Sequence, residues 1–318
     1  MQPGRFPGCI LFFNLLNMKI LSIILTGLLL TNCASSNVPQ KNMDFEELII
    51  SGKDVYFKDM TFEQDIDFTK FEKNLVSEGV YQVRIVSSIT FHNCIFKGKV
   101  TTYTKDKDQN IIFTSFQSNV SFIGCAFHEE ANFRASNILG RVDFTNALFL
   151  KKATFEECTF YQNAYFRASA YHEELRFQNA VFMQKANFLN AEFDNTASFQ
   201  SVTFQGEAQF SNTKFMGYTD FGLIRCFGNF FANYALFHDR AIFNNGYYYS
   251  SADFISLVFH QCEMMSNRFF SEVRFTKSTA EVFVSFDKCY FLQGAPDFSS
   301  FDPAKISQVG IRAPAGSE

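Results

Sequence analysis

His128, His172, His238 and His260 are spaced by 44, 66 and 22 along the chain, so all four share one phase of a period of 22. If the chain coils with that period, His238 and His260 become neighbours, with Asp239 beside them. Two imidazoles and a carboxylate are a donor set for a divalent metal. The blander outcome is a row of solvated corner residues, since no second column supplies further ligands. Glu129, Glu130, Glu173 and Glu174 suggest a different chemistry, paired carboxylates for acid/base work on sugars. Lys151 and Lys152 fall midway between the two glutamate pairs, so the alternation predicts a charge ladder instead. Cys94, Cys125, Cys158 and Cys289 each stand two places before a Phe. Ala fills that slot elsewhere, and the thiol is expected to fill the same space. Cys125 and Cys158 are 33 apart, on opposite sides of such a coil and out of bridging range. There is no C-x-x-C zinc spacing, no Gly-rich phosphate loop and no Ser/His/Asp arrangement. No catalytic residue and no cofactor are expected.

What would position such columns is a repeat. Phe122, Phe133, Phe144, Phe155, Phe166, Phe177, Phe188, Phe199, Phe210 and Phe221 follow one another at steps of 11. A second series runs five places later, through Phe127, Phe149, Phe160, Phe182, Phe193, Phe204 and Phe215, with Ile138 and Tyr171 in the gaps. Two places before many of these rings stands Ala, as at Ala153, Ala164, Ala186, Ala191, Ala197 and Ala208. On a helix, at about 100° per residue, the apolar positions of this unit surround the axis and form no stripe. As short strands they share one face, and Asn, Thr, Ser and Gly between them suit bends. The pattern predicts an all-β solenoid.

At the pairs Ala186/Phe188, Ala191/Phe193, Ala197/Phe199 and Ala208/Phe210 the chain resembles the pentapeptide-repeat family in a Phe-rich form. The departure is a sixth residue in alternate units, giving 5+6, an 11-residue unit. The resemblance implies a right-handed, four-sided β-helix with the large and small residues both pointing inward. Four sides of this kind make a coil of 22, and the outward residues agree. Spaced by 22, Glu129-Glu130, Lys151-Lys152 and Glu173-Glu174 meet on adjacent rungs with opposite charge. The solenoid is expected over 55–299, about eleven coils, with register breaks at 69–88 and 97–111 and a loose tail over 300–318. Ala232 interrupts the Phe series, and Phe230 and Phe231 are candidates to compensate.

The N-terminal segment reads as export machinery. Residues 18–33, MKILSIILTGLLLTNC, combine Lys19 with an apolar run too short to span a bilayer. The segment LTNC resembles a bacterial lipobox, with Asn32 where that motif usually has a small residue. The resemblance implies cleavage after a signal peptide over 18–32 and a diacylglyceryl group on Cys33. Ala34 and Ser35, with no Asp, favour the outer membrane by the same resemblance. Residues 33–54 would be a tether and N-terminal cap. Residues 1–17 are read as a start-site artefact; with Met1 as the start, residues 9–30 would form a longer, interrupted apolar segment.

Net charge is −4 over 318 residues. That mild acidity provides no general attraction for a phosphate backbone, so nucleic acid is not an expected partner. One outward line is less ordinary. Leu139, Tyr161, Met183, Gln205, Phe227 and Tyr249 are 22 apart, and five of the six are apolar or aromatic. An exposed apolar stripe marks a contact surface; alternatively the side chains fold over the corner and shield backbone. The leading expectation is a non-enzymatic, lipid-anchored envelope solenoid that binds a protein or an envelope polymer. One alternative is a DNA mimic acting on a topoisomerase, which needs the cytosol and a strongly acidic face. The other is a β-helical enzyme acting on polysaccharide, which needs a carboxylate-lined cleft near the register breaks.

Overall fold

A computed structural model of the chain describes residues 45–314. Cys33 and the segments 1–17 and 18–32 lie outside the described residues. Among the described residues no helix is long and apolar enough to cross a membrane.

The chain winds as a β-solenoid whose strands stack in parallel. Three sheets make its walls. Wall A has ten strands, from Val55–Lys58 to Val273–Arg274. Wall C has twelve, ending at Tyr290–Phe291. The eighteen-stranded wall B covers two adjoining sides. In one coil these are Leu148–Phe149 and Ala153–Thr154, before wall C takes Thr159–Phe160 and wall A takes Ala164–Tyr165. The repeat of 22 is direct: Phe149 pairs with Tyr171, Phe160 with Phe182, and Ala164 with Ala186.

The 5+6 beat has a backbone cause. Ala135, Asn146, Glu157, Ala168, Asn179, Asn190, Ser201 and Asn212 all have φ between 51° and 60°. In these corners an amide bonds a carbonyl three places back, as Ala147 N to Phe144 O at 3.0 Å. Positive φ at the third turn position is the type II pattern. These tight turns take the five-residue steps. The six-residue steps are wider corners, which carry the outward columns.

Inside, the rings form continuous stacks. Phe155, Phe177 and Phe199 lie 4.8 and 5.4 Å apart with planes within 8°. Phe193, Phe215 and Phe237 lie 4.7 and 4.6 Å apart. Neighbouring stacks meet edge to face, as Phe188 and Phe199 do at 5.4 Å and 86°. Offset and T-shaped pairs each add about 0.5–1.5 kcal/mol beyond area burial. Ala232 is buried in a large slot, and Phe230 is buried in the small slot two places earlier, where Ala208 and Ala252 sit on the adjacent rungs. The ring of Phe230 reaches Phe210 at 5.6 Å and Phe254 at 5.5 Å. Phe231 does not share in this compensation; it pairs with Gln209 on the outer, half-buried side.

The ends differ from the expected regularity. Wall A advances from Val55 to Ile89 to Val120 before settling at 22. The two long coils carry antiparallel hairpins, Lys73–Ser77 with Val80–Ile85 and Tyr103–Lys105 with Ile111–Phe116. Wall A therefore holds ten rungs where about eleven coils were expected. Helix α1 (Phe45–Ile50) covers the first rung, with Phe45 against Phe68 at 5.5 Å and Ile49 buried. The segment expected to be loose from 300 is instead bound through Arg312. Phe301 is buried, Ile306–Ser307 pairs with Val284 and Ser285, and Arg312 bridges Tyr290. An unpaired last rung would leave amides and carbonyls without partners, and this segment satisfies them.

Candidate functional surfaces

The corner between the two sides of wall B carries the histidine column. Phe237 pairs with Phe259, but Arg240 pairs with Gln261, so one residue between them is extra. The bulge falls at His238 and Asp239. It shortens the next step to 21 and explains why Phe275, Phe286 and Phe291 fall one place out of phase. The proposed donor set does not assemble: among the described residues no three of His, Cys, Asp or Glu could hold a metal. The Nδ1 of His260 instead meets Glu281 Oε2 at 3.1 Å, and that of His172 meets Asp194 Oδ2 at 2.6 Å.

Two of the glutamates on this corner, Glu173 and Glu174, are paired across rungs. Lys151 Nζ reaches Glu173 at 2.8 Å and Lys152 Nζ reaches Glu174 at 3.5 Å. On the first side of the same wall Lys214 meets Glu192 at 2.6 Å. Just before wall A, Lys185 meets Glu207 at 2.7 Å in the same rung-to-rung fashion. The hydrogen bond and the charge of Glu173 hold the Lys151 ammonium above its usual range. Carboxylates neutralised this way are poor general acids or bases, and this corner reads as a ladder.

The thiols are buried at Cys94, Cys125, Cys158, Cys226, Cys262 and Cys289. Burial pushes Cys158 and Cys226 up, and Cys289 up to about 12. Cys94 and Cys125 immediately precede Ile95 and Ala126, which pair, and so the two thiols stack on adjacent rungs. The neighbouring Cys125 thiol pulls the Cys94 thiol below its usual range. Neither is exposed, so neither can meet a substrate. The pair arises because this coil is longer than 22 residues, with Ile95 opposite Ala126.

The opposite corner, between walls C and A, holds the apolar column. Leu139, Tyr161, Met183, Phe227 and Tyr249 are each 39–42% exposed. Their amides bond carbonyls on the preceding rung, Tyr161 N to Ile138 O at 3.0 Å and Tyr249 N to Cys226 O at 2.8 Å. Phe227 and Tyr249 stack at 4.7 Å, and Tyr249 stacks on Phe270 at 5.0 Å. Phe270 and the exposed Leu292 extend the line past the bulge. A fixed count of 22 misses both. Rungs are in close contact here: a Cβ on Gly228 would lie 2.4 Å from the carbonyl carbon of Gly206.

An open cleft of about 720 Å³ lies beside the end of this column, lined by Arg268, Phe270, Lys288, Tyr290, Gly310 and Arg312 among others. No carboxylate lines it. It is far along the chain from the hairpins where an enzymatic cleft would have been sought.

A family model described as pentapeptide repeats (9 copies) matches residues 114–158 and 177–223. No curated protein matches the chain. Among solved structures, full-length QnrB1, a plasmid-mediated fluoroquinolone resistance protein, is similar at 13% identity, over 82% of this chain and 94% of that chain, with a TM-score of 0.17. A trypsin-treated form of QnrB1 is similar at 14% identity, over 83% of this chain and 91% of that chain, with a TM-score of 0.16. With Phe and Ala facing inward on coil after coil, and the repeat motif matched on both segments, residues 114–158 and 177–223 are pentapeptide repeats.

Proposed function

We propose that this protein is a non-enzymatic binding solenoid of the bacterial envelope, lipid-anchored to the outer membrane through Cys33. Its apolar corner docks a protein or an envelope polymer. The observation that carries the reading is the contrast in solvent-facing chemistry. One corner satisfies its own charges, while the opposite corner leaves Leu139, Tyr161, Met183, Phe227 and Tyr249 partly in water. A continuous apolar line of this kind favours a contact surface. The buried thiols and the ion pairs of Glu173 and Glu174 favour binding over catalysis.

Metabolic labelling with a lipid precursor tests the anchor: Cys33→Ser should abolish the label and release the protein from membranes. Whole-cell crosslinking tests the docking edge. Replacing Tyr161, Phe227 and Tyr249 together with Ser should weaken partner recovery while circular dichroism stays unchanged. Unlabelled, cytosolic protein would overturn the envelope reading, and undiminished recovery would overturn the docking edge.

A further inference from the structure

Two places before the apolar column, wall C carries a second outward line. On its early rungs this line is neutral: Asn137, Thr159, Val181 and Thr203 pair in succession. From the next rung it changes to strict alternation. Thr203 pairs with Arg225, Arg225 with Tyr247, Tyr247 with Arg268, Arg268 with Tyr290, and Tyr290 bridges Arg312. Parallel rungs are about 4.8 Å apart, so the three guanidinium groups recur every ~9.6 Å along the axis. Lys288 flanks the last two around the cleft.

These cations lack the ion pairs that the ladder lysines have. Among the described residues none of Arg225, Arg268, Lys288 and Arg312 has a carboxylate in ion-pair range, whereas Lys151, Lys152, Lys185 and Lys214 each do. Asp287, next to Lys288 in sequence, is occupied by Ser307 Oγ at 2.6 Å and Val309 N at 2.7 Å. Tyr247 holds Arg268 in place. The Arg268 guanidinium lies over the Tyr247 ring at 5.3 Å, and its Nη1 donates to Tyr247 Oη at 3.3 Å.

Resting on the polymer-binding form of the proposed function, we infer that wall C binds a linear acidic polysaccharide laid along the solenoid axis. Its carboxylate or phosphate groups meet Arg225, Arg268 and Arg312. Guanidinium forks match both anions, and their spacing is close to the disaccharide repeat of an extended glycan. Tyr247 and Tyr290 place hydroxyls between the charges, suited to sugar hydroxyls. The adjoining Phe227, Tyr249 and Phe270 line the polymer's apolar edge. Single-stranded nucleic acid fits less well, because it needs free ring faces on which bases stack. Here the outward rings already stack on one another at 4.7 and 5.0 Å, and Tyr247 is covered by Arg268.

The test uses the full chain, solubilised in detergent, and measures affinity for immobilised polygalacturonate (carboxylate arm) and a phosphorylated mannan (phosphate arm). The same polygalacturonate fully methyl-esterified, polyglutamate and oligothymidylate serve as comparisons. Binding to either or both acidic arms is expected, with the stronger arm identifying the anion, and it should weaken as salt rises. Combined Arg225→Gln, Arg268→Gln and Arg312→Gln should lower affinity at least tenfold with circular dichroism unchanged. Equal retention by the methyl ester would overturn the inference, as would an unaffected triple variant or a preference for polyglutamate or oligothymidylate. The outcome is separable from the docking edge. Failure of glycan binding with Tyr161, Phe227 and Tyr249 still needed for crosslinking would sink this inference alone. Cytosolic, unlabelled protein would sink the envelope reading alone.

Discussion

Two outward surfaces of the same tube use the same rung spacing to opposite effect. On wall B, Lys214 stacks on Glu192 and Lys151 on Glu173, so each rung neutralises its neighbour. On wall C, Arg225, Arg268 and Arg312 alternate with tyrosines and meet no acid. The backbone imposes the interval in both places. Only residue choice decides whether a column is closed on itself or open to something else. Among the described residues the wall C column has no ion pair within it, Arg268 contacts Tyr247 inside it, and the apolar line runs beside it.

The comparison breaks first if the shared ladder does. Phe199 is fully buried and stacks on Phe177 and Phe221 at 5.4 and 4.7 Å. Phe199→Ala should lower the free energy of unfolding by about 3–5 kcal/mol, read by urea denaturation, and should disturb both columns. A smaller effect of opposite sign is expected at Tyr248. Its hydroxyl is buried without a partner, whereas that of Tyr171 accepts from Ser169 Oγ at 3.3 Å. Removing an orphaned polar group recovers its desolvation penalty, so Tyr248→Phe should stabilise by about 1–3 kcal/mol. Tyr171→Phe should not stabilise. The pair is compared by thermal melts.

The sharpest test of the two surfaces is charge reversal. Lys214→Glu sets a carboxylate opposite Glu192 and should cost up to about 1 kcal/mol. Arg225→Glu has no acid to offend and should stay within about 0.5 kcal/mol of the parent. Equal losses in denaturation would mean the two columns are not electrostatically different. The smallest effect concerns the corner that leads into wall C. Leu223 holds φ 62° at a position where Asn stands in other coils, as at Asn179 and Asn245. Leu223→Asn should relieve part of that strain and raise stability, in the same melts, by a few tenths of a kcal/mol.

Much of the tube was legible from residues alone. Phe and Ala at fixed offsets identified the inward face, because only a strand with bends puts positions 0, 2, 5 and 7 on one side. The charge alternation at Glu129, Lys151 and Glu173 identified the coil length, because opposite charges on adjacent rungs make sense only at 22. The apolar line from Leu139 to Tyr249 followed from the same count. The metal donor set at His238, Asp239 and His260 did not survive, because Asp239 belongs to a bulge that the count could not foresee.

Sequence by itself determined the repeat, its period and which side chains face inward, since those depend on local strand geometry and on burying large rings. Tertiary structure alone decided the length of the first two coils, the stacking of Cys94 on Cys125, and the ordering of the segment that ends at Arg312. It also decided that Tyr247 pairs with Arg268, where a constant count would have selected Phe269. The physical reason is that rung pairing is a non-local choice. A hairpin or one bulged residue resets which residues meet across the coil, and no fixed spacing in the chain records that reset.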